Sequence, residues 1–424
     1  MISEPSLRRG WCPGALTPMQ TGDGWLVRVR PRAGSYSLVQ LAAIGEAANH
    51  CGNGEIDLTN RANLQIRGLS TSSVVDAQEI LSAAELIDDD AAVEAIRNVV
   101  VLPMVGIDPD AYDARPLARV LEGEIIADER LKALPGKFGF AVDGGGAFTL
   151  PPGLADVMLR ASRDGVAIEL AGAAGPVVVL PEREAPGAAR SLANVFVDYA
   201  CANPSARRMR DMVKCIGAAA IYEMAGLTAQ ITVRTPLSQS QLPVGSLGPV
   251  DAPWALGIGL PYGRISAVAL SELVRAASEC GVTELRPSHQ RALIVPLNKS
   301  SLDPIRSVAK ALGLIVEAGD PRLSMDVCPG APACERGTTR TREDADRLAA
   351  MLKDCVGSVH SLHVSGCLKG CAHQGPAELT LVARNGLYDI IRNGIVSDSP
   401  SLTGIPGERL AIALTTAAGD PHAA

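Results

Sequence analysis

A chain of 424 residues is long enough for more than one core, and 47% hydrophobic with only 3% aromatic residues describes an interior packed from Ala, Val and Leu. No apolar run approaches the length that spans a bilayer, and the formal net charge of −7 argues against a general nucleic-acid binder while leaving room for a local basic pocket. The N-terminal MISEPSLRRGWCPG lacks the apolar stretch of a secretory signal, so a cytoplasmic, reducing setting is expected and disulfides are not.

In chain order, WLVRVRP at 25–31 alternates as a half-buried strand and SLVQLAAIGEAANHC has helical periodicity that Gly52 stops; EIDL and NLQIRG then return as extended segments. A longer mixed segment follows: VEAIRNVVVLP, PLARVLEGEI, LPGKFGFAVDGGG, GVAIEL and GPVVVL. Its DGGG at 143–146 lacks the spacing of a phosphate loop and reads as a tight turn. Residues 235–253 have the composition of a linker. Beyond it, WALGIGLP, SAVALSELVRAASEC and RALIVPL repeat the opening pattern. The chain closes with SMDVCPGAPAC, TREDADRLAAMLKD, SLHVSGCLKGC and AELTLVA.

A gapless shift of 229 residues superimposes 25–66 on 254–295, placing Trp25 on Trp254, Gly34 on Gly263, Ser37 on Ser266, Cys51 on Cys280 and Leu64 on Leu293. Each copy has the strand, helix, strand order of half a ferredoxin-like fold, and two such halves can pair across a pseudo-twofold axis. The expected architecture is therefore α+β and duplicated. Half domains fall at 1–80 and 236–315, and each precedes an α+β module, at 81–235 and 316–424.

Four cysteines in two close pairs, Cys328 with Cys334 and Cys367 with Cys371, supply the thiolates that a [4Fe–4S] cube requires. The segment between the pairs reads as a helix with Thr341 as its N-cap and Leu348, Met351 and Leu352 on one face, so two loops flanking it can face one cluster. A structural zinc site is the rival reading, but zinc modules mostly use first spacings of two to four residues and five residues separate Cys328 from Cys334. Cys12, Cys51, Cys201, Cys215, Cys280 and Cys355 have the ordinary reading of free cysteine, a small buried hydrophobe.

These cysteines, together with RNV at 97–99, LPGKFGF at 134–140 and TNRANLQIRG at 59–68, resemble the sulfite and nitrite reductase family over nearly the whole chain. What the resemblance implies is a [4Fe–4S] cluster on the four cysteines, with Cys371 bridging to the iron of siroheme. It also implies Arg97 and Lys137 as catalytic cations, and Arg61 with Gln65 beside them. Two departures matter. Gly139 stands where reductases of the family usually carry a second lysine, and Leu368 and Lys369 replace the usual Pro and Asn between the last two cysteines. Reduction of a small anion by six electrons needs several cations, so the missing lysine weakens a reductase reading.

RRGWCPG, the absence of a flavin or nucleotide-binding extension, and GCLKGCAHQGP resemble instead an oxygenase branch of that family in aerobic cobalamin biosynthesis. That resemblance implies a monooxygenase that uses O2 to hydroxylate precorrin-3A at C20 with closure of a γ-lactone. It also implies an iron centre or siroheme beside the cluster and an external, NADH-linked donor or electron-donor protein. No nucleic-acid or membrane partner is expected. A tetrapyrrole polyanion needs guanidinium and ammonium partners, for which the candidates are Arg28, Arg30, Arg61, Arg67, Arg97 and Lys137, with Gln65. His360, His363 and His373 are conceivable ligands of a second iron, although each is more commonly a polar loop residue, and His289, Gln290 and Arg291 read as an ordinary turn. A siroheme-dependent reductase and a non-catalytic iron–sulfur protein stand as alternatives.

Overall fold

The computed structural model describes residues 12–174, 177–228, 242–355 and 361–418. Residues 8–11 of the N-terminal motif, 235–241 of the expected linker, and His360 lie outside the described residues, as do the side chains of Leu352 and Cys355. Four five-stranded sheets organise the chain.

The first half domain contains β1 (Met19–Thr21), β2 (Gly24–Val29), β3 (Tyr36–Ser37), α1 (Leu38–His50), β4 (Glu55–Leu58), β5 (Leu64–Leu69) and α2 (Ser73–Ala83). Alternation in β2 sends Val27 and Val29 fully into the core and leaves Arg28 and Arg30 to the opposite face. Ser37 caps α1 through a reciprocal pair: Gln40 N donates to Ser37 Oγ at 3.2 Å and Ser37 N donates to Gln40 Oε1 at 3.0 Å. The first module follows with α3 (Ala91–Ile96), β6 (Val99–Val101), α4 (Arg115–Ala127), β7 (Phe140–Asp143), β8 (Val157–Ser162), β9 (Gly165–Leu170), β10 (Val178–Leu180), α5 (Ala185–Ala202), α6 (Met209–Ile216) and α7 (Ala218–Met224).

The second half domain has β11 (Gly245–Leu247), β12 (Ala255–Gly259), β13 (Arg264–Ser266), α8 (Ala267–Glu279), β14 (Glu284–Pro287), β15 (Ala292–Pro296) and α9 (Lys299–Ala311). Because β11 pairs with β12, part of the segment expected as linker is sheet. The 229-residue offset is kept by the backbone: α1 maps onto α8 residue for residue, β4 onto β14, and the left-handed residues Ala33 and Ala62 onto Tyr262 and Arg291. Each half lends its edge strand to the other. β13 joins the first sheet beside β4 with Ser266 opposite Glu55, and β3 joins the other half's sheet beside β14 with Ser37 opposite Glu284, the same pairing related by the pseudo-twofold. Helices α1 and α8 pack together, and both halves share one apolar core that includes Val27, Ile56, Ile66, Leu256, Ile258 and Leu293. The two halves are thus one physical unit.

The second module has β16 (Met325–Val327), α10 (Thr341–Cys355), β17 (Leu362–Ser365), β18 (Ala377–Arg384), β19 (Leu387–Gly394), β20 (Leu402–Ile405) and α11 (Leu410–Ala418). Its strand order, β16-β17-β18-β19-β20 with the first three parallel, is that of β6-β7-β8-β9-β10 in the first module. Cys328 follows β16 and Cys367 follows β17, so both cysteine pairs lie at the C-terminal ends of adjacent parallel strands. Arg97 and Lys137 precede β6 and β7. The first-module counterparts of the cysteine loops are instead the turns after β6 and β7, including the glycines at 144–146, which form the expected tight turn on Asp143 and Asp108. In α10, Leu348 is buried, but Met351 is 37% exposed and the Thr341 hydroxyl donates to Cys328 O at 2.7 Å from within the helix.

Candidate functional site

Backbone contacts bring the two cysteine loops together. Cys328 N donates to Val364 O at 3.2 Å and Thr338 N to Gly366 O at 3.1 Å. A Cβ on Gly366 would lie 3.3 Å from Cα of both Gly330 and Gly337, so three glycines form a close crossing of the loops where a side chain would force them apart. Cys328 is buried, Cys334 and Cys367 are half-buried, and Cys371 is exposed at the mouth. Burial pushes the Cys328 thiol up, opposed by N–H groups of Gly366 and Gly330 and by the Thr341 hydroxyl; the Gly366 bond to Sγ is 3.1 Å. Desolvation first, and then the neighbouring Cys328, Cys367 and Cys334, push the Cys371 thiol up against the pull of Lys369. The Cys371 sulfur lies near enough to Cys328, Cys367 and Cys334 to respond to them, and a backbone N–H reaches the most buried sulfur. Among the described residues no three His, Cys, Asp or Glu side chains converge as a single metal ion needs, whereas four cysteines with backbone N–H groups at sulfur are the donor set of an iron–sulfur cube.

Across from these loops lies the polar face of the first sheet. The register sets Arg28 opposite Gln65, Gln65 opposite Asp57, and Asp57 opposite Arg264, a charged row across β2, β5, β4 and β13. With its oxygen facing Arg28, the Gln65 amide accepts from Arg28 Nη2 at 2.6 Å and Nε at 3.0 Å. Burial, and then Arg30, bring the Arg28 guanidinium down to about 10. Arg61 sits in the turn between β4 and β5, whose amides are gathered by Thr59 Oγ1, and its Nη2 donates to Lys137 O at 2.9 Å. Burial lowers the Arg61 pKa, Arg208 adds to this, and Asp156 opposes it. Lys137 is exposed in the loop before β7, whose backbone Arg61 reaches. Arg28, Gln65 and Arg61 thus border one polar shelf, with Arg30 buried at its back and the Lys137 loop at its edge.

Two expected members do not. Arg97 is 2% exposed and clasps Asp88 through Nε and Nη2 at 3.0 Å, while its Nη1 donates to Pro31 O at 3.0 Å. A buried guanidinium so engaged ties β2 to the first module, and it has no face left for a substrate anion. Arg67 is 3% exposed, holds Asp23 through Nε at 2.9 Å and Nη2 at 2.8 Å, and donates to Ala333 O, next to Cys334, at 2.8 Å. It anchors the cluster loop and does not line the shelf.

Sequence reasoning did not single out Asp57, Asp326, Arg208 or Glu94, and it left the surroundings of His363 open. Asp57 receives Arg264 at 2.8 Å, Arg342 at 3.0 Å and Arg67 at 3.4 Å, joining both half domains to the second module. Burial alone would raise its pKa, but Arg342, Arg264 and Arg67 prevail and hold the carboxyl well below the carboxylate range. Asp326 accepts from Arg291 at 3.1 Å and pairs with His373 Nδ1 at 2.9 Å, so the turn read as ordinary bridges to the second module. His363, 1% exposed, has neither ring nitrogen bonded and lies 5.8 Å, ring to ring, from His373. Arg208, bound to Asp156 at 3.0 Å, extends the shelf from the first module, and Glu94, 2% exposed, clamps the amides of Ala15 and Leu16. Alternation on EIDL marks Asp57 as facing away from Ile56, but nothing in the sequence pairs it with three arginines from distant segments.

Two interlocked ferredoxin-like halves, paired modules, four clustered cysteines and a facing cation shelf define a protein of the nitrite and sulfite reductase family. Residues 17–84 match the family description "Nitrite/Sulfite reductase ferredoxin-like half domain". Precorrin-3B synthase of Sinorhizobium sp is 31% identical over 412 residues, covering 93% of this chain and 85% of that protein, and the chain belongs to this precorrin-3B synthase branch of the family. An assimilatory ferredoxin-dependent nitrite reductase of Haloferax mediterranei is 23% identical over 401 residues, covering 82% of this chain and 68% of that protein. The solved structure of the Mycobacterium tuberculosis NirA protein shares the fold with a TM-score of 0.75 at 18% identity, over 92% of this chain and 79% of that one. Among the described residues no helix is long and apolar enough to cross a membrane.

Proposed function

We propose that the chain catalyses the precorrin-3B synthase reaction in cobalamin biosynthesis, in the cytoplasm: an O2-dependent monooxygenation that hydroxylates precorrin-3A at C20 and closes a γ-lactone. The observation that carries the reading, beside the 31% identity to the Sinorhizobium enzyme, is the asymmetry of the repeat. At the positions of Arg28, Arg30, Gln65 and Arg67 the second copy has Gly257, Gly259, Ile294 and Pro296, and the apolar face so made joins the core of the first module through Ala255, Ala292 and Ile294. The second copy keeps Arg286 on that face, but enclosed by Glu284, Pro103 O and Val105 O; the first copy keeps a row of charges there, and that row meets the cysteine loops. A macrocycle bearing many carboxylates fits such a surface better than a small anion does.

Cys328, Cys334, Cys367 and Cys371 would hold a [4Fe–4S] cluster, which supplies single electrons. Arg28, Arg30, Arg61 and Lys137 bind and orient the carboxylates, Gln65 fixes the plane of the Arg28 guanidinium, and Arg97 on Asp88 keeps β2 in place for them. Monooxygenation consumes O2, two electrons and two protons, so the reading requires an external donor, NADH-linked directly or through an electron-donor protein. A siroheme would bring its own carboxylates to the same guanidinium groups, which favours the shelf as a place for one macrocycle, the substrate. As for a mononuclear iron, His363, His373 and Asp326 are of the right donor types. Among the described residues, however, no three His, Cys, Asp or Glu side chains are grouped as one ion needs, so no step is assigned to them.

The reductase alternative meets a steric obstacle. A Cβ on Gly139 would lie 2.7 Å from Asn98 Nδ2 and 3.1 Å from Asn98 O, and Asn98 is held by its bond to Phe138 O at 2.9 Å. The second lysine of the reductase pattern cannot be restored there without moving this packing. In an oxygen electrode, the anaerobically purified protein with a reduced donor is expected to consume O2 only when precorrin-3A is added. Consumption of sulfite or nitrite, with no precorrin-dependent uptake of O2, contradicts the proposal.

A further inference from the structure

Gly139 carries no side chain, yet a cation stands beside it. The link is Asp156, which is wholly buried. Its Oδ2 accepts from Gly139 N and from Arg208 Nε, each at 3.0 Å, and its Oδ1 accepts from Arg208 Nε at 3.0 Å and from Met209 N at 2.8 Å. The space next to Gly139 is taken by Asn98, so the charge at this loop comes from a distant segment, the one that opens α6.

Only part of the Arg208 guanidinium is engaged in this way. Its Nε faces Asp156, while among the described residues Nη1 and Nη2 have no hydrogen-bond partner, and the side chain is 18% exposed. The pair Nη1 and Nη2 forms one of the two edges that a carboxylate can bridge. Arg61 reaches the same loop two residues earlier, through Nη2 on Lys137 O at 2.9 Å. Two guanidinium groups on one short loop repel: after burial, the charge of Arg208 is the largest cause that lowers the Arg61 pKa, and Asp156 offsets it in part. A carboxylate at the free edge of Arg208 relieves the repulsion and pairs the open donors together. We infer that Arg208, held by Asp156, receives a carboxylate of the tetrapyrrole jointly with Arg61 and so fixes how the macrocycle lies against the Lys137 loop. This rests on the proposed function for the ligand class. It adds to the shelf a substrate-binding arginine from the first module, with Asp156 as its positioning residue.

Uroporphyrin I, a tetrapyrrole octacarboxylate, serves as the probe on cluster-loaded protein. Saturating uroporphyrin is expected to slow phenylglyoxal modification of Arg208, followed peptide by peptide, about tenfold. Arg275, exposed on α8 across the sheet from the shelf, is expected to react at an unchanged rate. Arg208→Lys separates binding from structure, because one ammonium satisfies Asp156 but has no second edge to offer a carboxylate. That variant is expected to keep its melting temperature and cluster absorbance and to bind uroporphyrin about tenfold more weakly, the loss of one charge-assisted pair. A lysine variant that binds like the wild type, or an Arg208 that uroporphyrin does not protect, overturns the inference. If binding nevertheless depends on Arg61, tested as Arg61→Ala, the tetrapyrrole reading survives that failure; if the wild type does not bind uroporphyrin at all, both fall.

Discussion

At the scale of single residues, arginines of one chemical type divide by what the fold sets beside them. Arg28 and Arg61 keep half-buried positions facing the shelf, whereas Arg67 and Arg97 are fully enclosed by Asp23 and Asp88. Sequence context brought all of them forward, and alternation in β2 and β5 correctly puts Arg28, Arg30, Gln65 and Arg67 on one face. Whether a guanidinium on that face meets solvent or a carboxylate depends on chain segments that pack there from far away, and no local pattern encodes this. Asp57 is the clearest instance, a single carboxylate among Arg67, Arg264 and Arg342. Asp57→Asn is expected to destabilise the protein by ~3–5 kcal/mol in chemical denaturation, because three enclosed cations lose their counter-charge. Since its folded pKa lies below that of a free carboxyl, the stabilisation is present at neutral pH and above. It fades only as pH falls below the ordinary carboxylate range, and the variant's deficit is expected to shrink there.

Elements were the most legible scale. The 229-residue offset marks helices, strands and caps alike, and Ser37 and Ser266 do cap equivalent helices. The exchange of β3 and β13 was not legible, because two-residue and three-residue edge strands carry no periodicity of their own. The cysteine spacing pointed to one cluster, but the way the loops meet is set by glycines whose role shows only in three dimensions. A Cβ on Gly337 would lie 2.7 Å from Ala331 N and 2.7 Å from Gly330 C, both backbone atoms that cannot swing aside. Gly337→Ala is therefore expected to part the loops and to lower iron and acid-labile sulfide content several-fold while the far-ultraviolet circular dichroism stays native. Full cluster content in that variant would contradict the assigned crossing.

Over the whole molecule, duplication followed by divergence explains the division of labour. One copy of the half domain has packed its second face against the first module, apolar but for the enclosed Arg286, and the other has kept a charged row directed at the cysteine loops of the second module. Duplication could be read from the sequence, and so could the place of the cysteines in the second module. That cations face the cluster could be inferred from the duplication, but which ones do so could not, since it follows from edge strands that lock the halves into one core and set the first sheet, not Arg97, toward the cysteine loops. The central claim is that this arrangement oxygenates a tetrapyrrole and does not reduce a small anion. Single-turnover reaction of the reduced, cluster-loaded protein with precorrin-3A under 18O2 tests it most directly. The account expects one 18O atom in the product, retained in the C20 hydroxyl group; a product that forms without 18O, or takes its new oxygen from H2 18O, contradicts it.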